Sequence, residues 1–374
     1  FTDELFCSMA EFTNLYAVQN NVARFPPTNV EEMKIFVGIH LLMGNLHYPR
    51  VRCYWEPSLR IPQIADAMPR ERFSKLRQNA HFVDVTVPNA SDRFWKVRPL
   101  YDNIRARLLS LDLESHLCVD EQMVPFKGSL NVKQYVKNKP KPWGIKIFAL
   151  CGSSGQMYDF LLYQGSTTEL DATQAVVFGQ GAAVVVKLAE RIHADNIRLF
   201  FDNYFTSYNL LQYLRQKNIF AVGTIRLNRF KNPPFMTDKL MKKEGRGYCE
   251  EVISRDGEVI LTKWYDNKPV CVGSNYIGKG EMDKCRRWNR NEKKYTEVER
   301  PECIKIYNKH MGGVDKIDFL ITIYRTFIRS KKWTLRMFTH AIDLACVNAW
   351  FEYRREAQEL KISPQNILDL LHFR

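Results

Sequence analysis

Between His116 and Asn228 short apolar runs alternate with two helical stretches, and that order constrains the fold more than any other feature of the chain. The runs "HLCVDEQMVPF", "GIKIFALCG" and "MYDFLLYQG" are bounded by Gly, Ser and Pro, which predicts three adjacent strands of an antiparallel meander. "DATQAVVFGQGAAVVVKLAERI" reads as a helix with two internal glycines, and "NIRLFFDNYF" as a buried strand. "SYNLLQYLRQKN" then predicts a helix and "IFAVGTIRLN" another strand. The order β-β-β-α-β-α-β predicts an α+β fold built on a mixed sheet flanked by helices, an RNase H-like arrangement.

Helical text surrounds this core. In residues 1–115, "VEEMKIFVGIHLLMG" follows the cap candidate Asn29, "PRERFSKLRQNAHF" opens with Pro in a first turn, and "RPLYDNIRARLLSL" is amphipathic. The core's first part is expected over 116–227. A β-rich insertion is expected over 228–300, where "NPP", "EGRG" and "RDG" turns separate "YCEEVISRD" from "EVILTKWYDN". Helical pattern returns over 301–325, as the last helix of the core, and over 326–374, as the second part of a split helical domain.

A chain of 374 residues permits two or three domains. Its 45% hydrophobic and 13% aromatic content is that of a folded protein. The excess of 55 Lys+Arg over 41 Asp+Glu gives a net charge of +14, which favours nucleic acid as partner, with an anionic membrane surface second. No segment reaches the roughly 18 consecutive apolar residues of a spanning helix. "FTDELFCSMAEF" lacks the basic start of a signal peptide, and the missing initiator Met predicts a start inside a longer protein. Nine cysteines without a C-x-x-C pair predict buried thiols in cytosol or nucleus. Neither they nor the eight histidines have zinc-ligand spacing, so no zinc site is expected within this chain.

Four aspartates stand out. In "KHMGGVDKIDFL", Asp315 and Asp318 share one helical face, where like charges cost a few tenths of a kcal/mol. A bound cation would explain the pair, and so would ordinary solvation. Asp120 sits within the first strand and Asp202 ends the fourth. An ionised Asp at the end of a buried strand must be paired, hydrogen-bonded or coordinated. Asp202 could instead cap the helix starting near Ser207, and Asp120 could be half-exposed. Convergence of all four would suit two-metal phosphoryl transfer, because Mg²⁺ takes hard oxygen ligands.

Three basic clusters could follow a phosphate backbone or could face solvent. The first holds Lys137, Lys139, Lys141 and Lys146, and the second Lys284, Arg286, Arg287, Arg290, Lys293 and Lys294. The third holds Arg325, Arg329, Lys331, Lys332 and Arg336, interleaved with aromatics suited to stacking on bases. Trp143, Trp264 and Trp333 are expected in the core, whereas Trp288, between arginines, is the exception.

The blocks "VDEQMVPFKG", "NKPKPWGIKIFALC", "YQG", "FFDNYFTSYNLLQYL", "AVGTIR" and "YNKHMGGVDKIDFL" resemble, in order and spacing, those of the piggyBac transposases. "FTDELFCSMAEFTNLYA" and "RSKKWTLRMFTHAIDLACVNAW" extend the resemblance over essentially the whole chain. It implies that Asp120, Asp202, Asp315 and Asp318 bind two Mg²⁺ or Mn²⁺ ions as the catalytic residues. It also implies cut-and-paste transposition: strand cleavage, a hairpin intermediate and joining to TTAA. A nuclear homodimer on DNA is implied, with the two helical parts forming one dimerisation and DNA-binding domain. The Cys-rich zinc-binding block of autonomous members is absent from this sequence. Two alternatives stay open: a host-domesticated DNA-binding descendant that no longer transposes, and a protein-interaction scaffold. Two further expectations concern the site. Gly312 and Gly313 should let the helix start close against the sheet, and crowding of like charges should raise at least one carboxyl pKa.

Overall fold

Local sequence signals set the first helices. Thr2 accepts a hydrogen bond from Leu5 N to start α1 (Asp3–Gln19), and Asn29 accepts from Glu32 N to start α2 (Val30–Asn45). The one-turn α3 (Pro62–Ala65), α4 (Arg70–Asn79) and α5 (Arg98–Leu109) complete the leading helical region. The computed structural model describes residues 1–374 apart from Asn138, Pro140, Asn291 and Phe327.

The expected meander follows as β1 (His116–Pro125), the two-residue β2 (Gln134–Tyr135), β3 (Trp143–Gly152) and β4 (Met157–Leu162). The single helix expected next is broken. Gly179, at φ 80°, ends α6 (Ala172–Phe178) and precedes α7 (Gln180–Ala189). Only glycine enters that left-handed region without a side-chain penalty. Then come β5 (Arg198–Phe201), α8 (Tyr208–Gln216) and β6 (Phe220–Thr224).

Residues 228–300 divide between two structures. After α9 (Asp238–Glu244), β7 (Cys249–Ile253), β8 (Ile260–Tyr265) and β9 (Pro269–Ser274) continue the main sheet through antiparallel pairing of β9 with β6. Only β10 (Asp283–Asn289) and β11 (Lys294–Arg300) form a separate ribbon. The main sheet has nine strands in the order β2-β3-β1-β5-β6-β9-β8-β7, with β4 paired to β3. It is mixed: β1–β5 and β5–β6 are parallel, the other ladders antiparallel.

Three helices close the chain onto this sheet before the last short turn α13 (Leu370–Phe373). They are α10 (Glu302–His310), α11 (Gly313–Ile323) and the 27-residue α12 (Trp333–Glu359). α12 lies against β1, α2 and α5, so the leading and trailing helical regions pack together. Phe36 stacks on Phe338, and the buried Tyr101 hydroxyl donates to Met337 O at 3.0 Å. No helix among the described residues is long and apolar enough to cross a membrane.

Candidate functional site

The parallel pairing of β1 with β5 places two of the aspartates. Val119 is in register with Phe201, so the next positions, Asp120 and Asp202, lie side by side where β5 ends. Adjacent strands run about 4.8 Å apart. Asp202 does not cap α8. Ser207 does, accepting from Leu210 N, while Asp202 Oδ1 accepts from Tyr204 N at 2.8 Å.

The other two arrive on α11, which rests on β1 and β3. Gly313 makes that approach possible: a Cβ there would collide with Gly152 O and Cys118 Sγ. Gly312 has open space around it, so the close-packing role belongs to Gly313 alone. The charges of Asp120 and Asp315 both act on Cys118, whose thiol burial pushes up to about 12.

The carboxylates differ in environment. Burial pushes Asp120 up to about 8, helped by the Glu121 charge and more weakly by Asp202. Burial also raises Asp202 and Asp318. The expected pKa rise is present, but loss of water is its main cause and repulsion a lesser one. Asp318 faces Arg325 across 3.6 Å, and its Oδ1 is buried with no hydrogen-bond partner among the described residues. Gln122 lies close enough to lower the Asp318 pKa weakly, but the pair does not meet hydrogen-bond geometry, and Gln122 Nε2 is likewise unpartnered among the described residues. Among the described residues, no three His, Cys, Asp or Glu side chains form a ready metal-ligand group.

The donor set nevertheless suits a hard divalent cation. All four candidates are oxygen donors. A cation would also relieve the orphaned Asp318 oxygen and the desolvated carboxyls, each of which is costly as it stands.

Residues that sequence reasoning had placed on a DNA path turn inward here. The Lys139 ammonium stands 3.7 Å from Glu121, and the charges of Glu121, Asp120, Asp315 and Asp318 raise its pKa against the effect of burial. Lys146 is half-buried among the rings of Phe148, Tyr163 and Tyr204, with Glu121, Asp202 and Asp120 in range of its charge. Glu121 carries no signal in the sequence beyond its place next to Asp120. Arg325 and Arg336 are also largely buried: Arg325 faces Asp318, and Arg336 donates to Ile328 O at 2.7 Å.

Two basic clusters that are distant in sequence meet in one groove. Lys127, Lys141 and Trp143 line it together with Arg329, Ser330 and Arg336. Trp143 was expected in the core and is 46% exposed. It stands at the start of β3 next to the short edge strand β2, beside Tyr135, with Lys133 over its ring at 5.1 Å. Lys137 and Lys331 are exposed, as is Lys332, which lies in a separate cavity near α4. On the β10–β11 ribbon, Arg286 lies over Tyr295, Arg287 pairs with Asp266 at 2.9 Å, and Arg290 and Trp288 are exposed.

A family model described as Transposase IS4 matches residues 1–350. The chain is 32% identical to human PiggyBac transposable element-derived protein 3 over all of its own length and 62% of that protein's. It is also 32% identical to human PiggyBac transposable element-derived protein 2, over 97% of this chain and 60% of that one. It therefore spans less than two thirds of either relative. A solved piggyBac transposase, in a synaptic complex with hairpin DNA, has the same fold: TM-score 0.82 at 22% identity, covering all of this chain and 76% of that one.

Proposed function

Because the chain belongs to the piggyBac transposase family, we propose that it binds DNA and cleaves its strands at a site formed by Asp120, Asp202, Asp315 and Asp318. The observation that carries this is the β1–β5 register, which seats Asp120 beside Asp202 under a helix bearing the other two aspartates. Together these elements would make an RNase H-like core. The four carboxylates would hold a pair of Mg²⁺ or Mn²⁺ ions, which supply Lewis acidity to the attacking and leaving oxygens of a phosphodiester. Lys139 holds the negative charge of the carboxylates in check in the metal-free protein. The groove of Lys127, Lys141 and Arg329 receives the DNA backbone, and Trp143 offers a ring for stacking.

The fuller sequence in this proposal is cleavage, hairpin formation and joining at TTAA by a nuclear homodimer; of these, the solved relative's complex with hairpin DNA supports the hairpin step. A second reading is a DNA-binding protein that no longer cuts. Relatives named as derived from transposable elements favour it.

A nicking assay on intact and pre-nicked DNA, with and without Mg²⁺, tests the proposal. Cleavage that needs Mg²⁺ and disappears in Asp202→Asn supports it. Tight, salt-sensitive binding without cleavage selects the second reading. Binding that ignores salt would indicate a protein-interaction scaffold and would overturn both.

A further inference from the structure

A cavity of about 270 Å³ opens between α1, the end of α4 and the start of α12, with Arg77, Lys96 and Lys332 among its lining residues. Among the described residues no carboxylate lines it. Arg77 is the most informative of the three cations. It is largely buried, loss of water lowers its pKa, and no carboxylate among the described residues raises it back. A partly desolvated guanidinium with no anion beside it is a favourable place for an anionic ligand.

The lining also carries aromatic rings. Tyr16 and His81 stack with centroids 3.7 Å apart and planes 21° from parallel, and Trp333 stands nearby. Burial and the charges of Lys96 and Lys332 lower the His81 pKa, so its ring is neutral near pH 7. Lys332 is steered by a hydrogen bond from its Nζ to Gln78 O at 3.2 Å. The cavity is slightly smaller than the roughly 300–1,000 Å³ of ordinary small-molecule sites, and it cannot admit a duplex.

We propose that this cavity binds a single nucleotide unit, its phosphoryl group on Arg77, Lys96 and Lys332 and its base against the Tyr16–His81 stack. The inference rests on the reading that the chain handles DNA, and deepens it. A duplex would lie in the groove beside Trp143, while one unpaired nucleotide enters here. The unit can come from an unpaired strand end or from a free nucleotide, since both present a phosphate beside a planar base.

Fluorescence anisotropy with a labelled duplex carrying a short unpaired tail, its blunt counterpart and dTMP as competitor tests the proposal. The wild-type protein should prefer the tailed duplex by about tenfold, the worth of a charged hydrogen bond. Arg77→Gln and Lys96→Gln should each abolish the preference and leave blunt-duplex binding unchanged. Competition by dTMP that erases the preference shows that free nucleotides share the site, and its failure assigns the site to strand ends. Equal affinity of the wild type for both duplexes, or an equal loss for both in the variants, overturns the proposal.

If no DNA binds at all, the DNA reading fails, and titration of tryptophan fluorescence with dTMP decides the cavity separately. Binding that is lost in Arg77→Gln sustains the site, and no binding overturns it. Arg77→Gln should melt no lower than wild type, because it removes a partly desolvated cation. If its melting temperature falls, the partly exposed Lys96→Gln decides the outcome.

Discussion

Asp120→Asn should stabilise the metal-free protein at neutral pH. Burial and the Glu121 charge lift the Asp120 pKa from 3.8 to about 8, so near pH 7 the folded state holds a proton that the unfolded chain has released. The sign follows from linkage. A carboxyl whose folded pKa is raised contributes stability that is complete below pH 3.8 and is lost as pH rises to about 8. At 1.36 kcal/mol per pH unit, the loss between pH 3.8 and pH 7 is about 4 kcal/mol at most, since neighbouring groups rearrange. Asparagine keeps the shape and has no charge to desolvate. Denaturant unfolding in chelator at pH 5, 7 and 8.5 should show the variant gaining on wild type as pH rises, by ~1–4 kcal/mol at the top of the range. A variant less stable than wild type at every pH, or a gap that does not change with pH, would refute the reasoning.

Asp318→Asn should leave metal-free stability unchanged or slightly raised and abolish Mg²⁺-dependent cleavage while DNA binding survives. A loss of stability with cleavage retained would instead make the 3.6 Å pair with Arg325 structural. Replacing Lys141 and Arg329 together by Ala should weaken binding to all DNA sequences alike and flatten the log–log salt slope by about one unit per lost phosphate contact. An unchanged slope in the folded variant would remove the groove from the DNA path. Gly313→Ala should destabilise the protein by ~1–3 kcal/mol, because its Cβ meets Gly152 O and Cys118 Sγ in a close-packed seam. Gly312→Ala, in open space, should be nearly silent in the same melt.

The meander and the strand–helix–strand that follows it were legible because each element is an apolar run with its own stop signal. Asp202 was legible as a strand end for the same reason. The pairing of β9 with β6 was not, because the residues that seal a sheet edge carry no local mark of their partner. The basic block after α11 shows a second limit. Arg325 and Arg329 read alike in sequence, yet Arg325 turns inward to Asp318 and Arg329 lines the groove. Lys139 is similar: its role comes from carboxylates on β1 and α11, nearly two hundred positions apart along the chain. Trp143 was expected in the core by residue type, and only its place beside a two-residue edge strand leaves it exposed.

The central claim is that Asp120, Asp202, Asp315 and Asp318 form a divalent-metal site, and Mn²⁺ titration followed by electron paramagnetic resonance tests it without requiring catalysis. The free-Mn²⁺ signal should fall as protein is added and return when Mg²⁺ competes. The titration should saturate at two ions per chain, and Asp120→Asn and Asp202→Asn should each lose that binding while remaining folded. Mn²⁺ binding that is absent, or that is the same in wild type and both variants, would contradict the account.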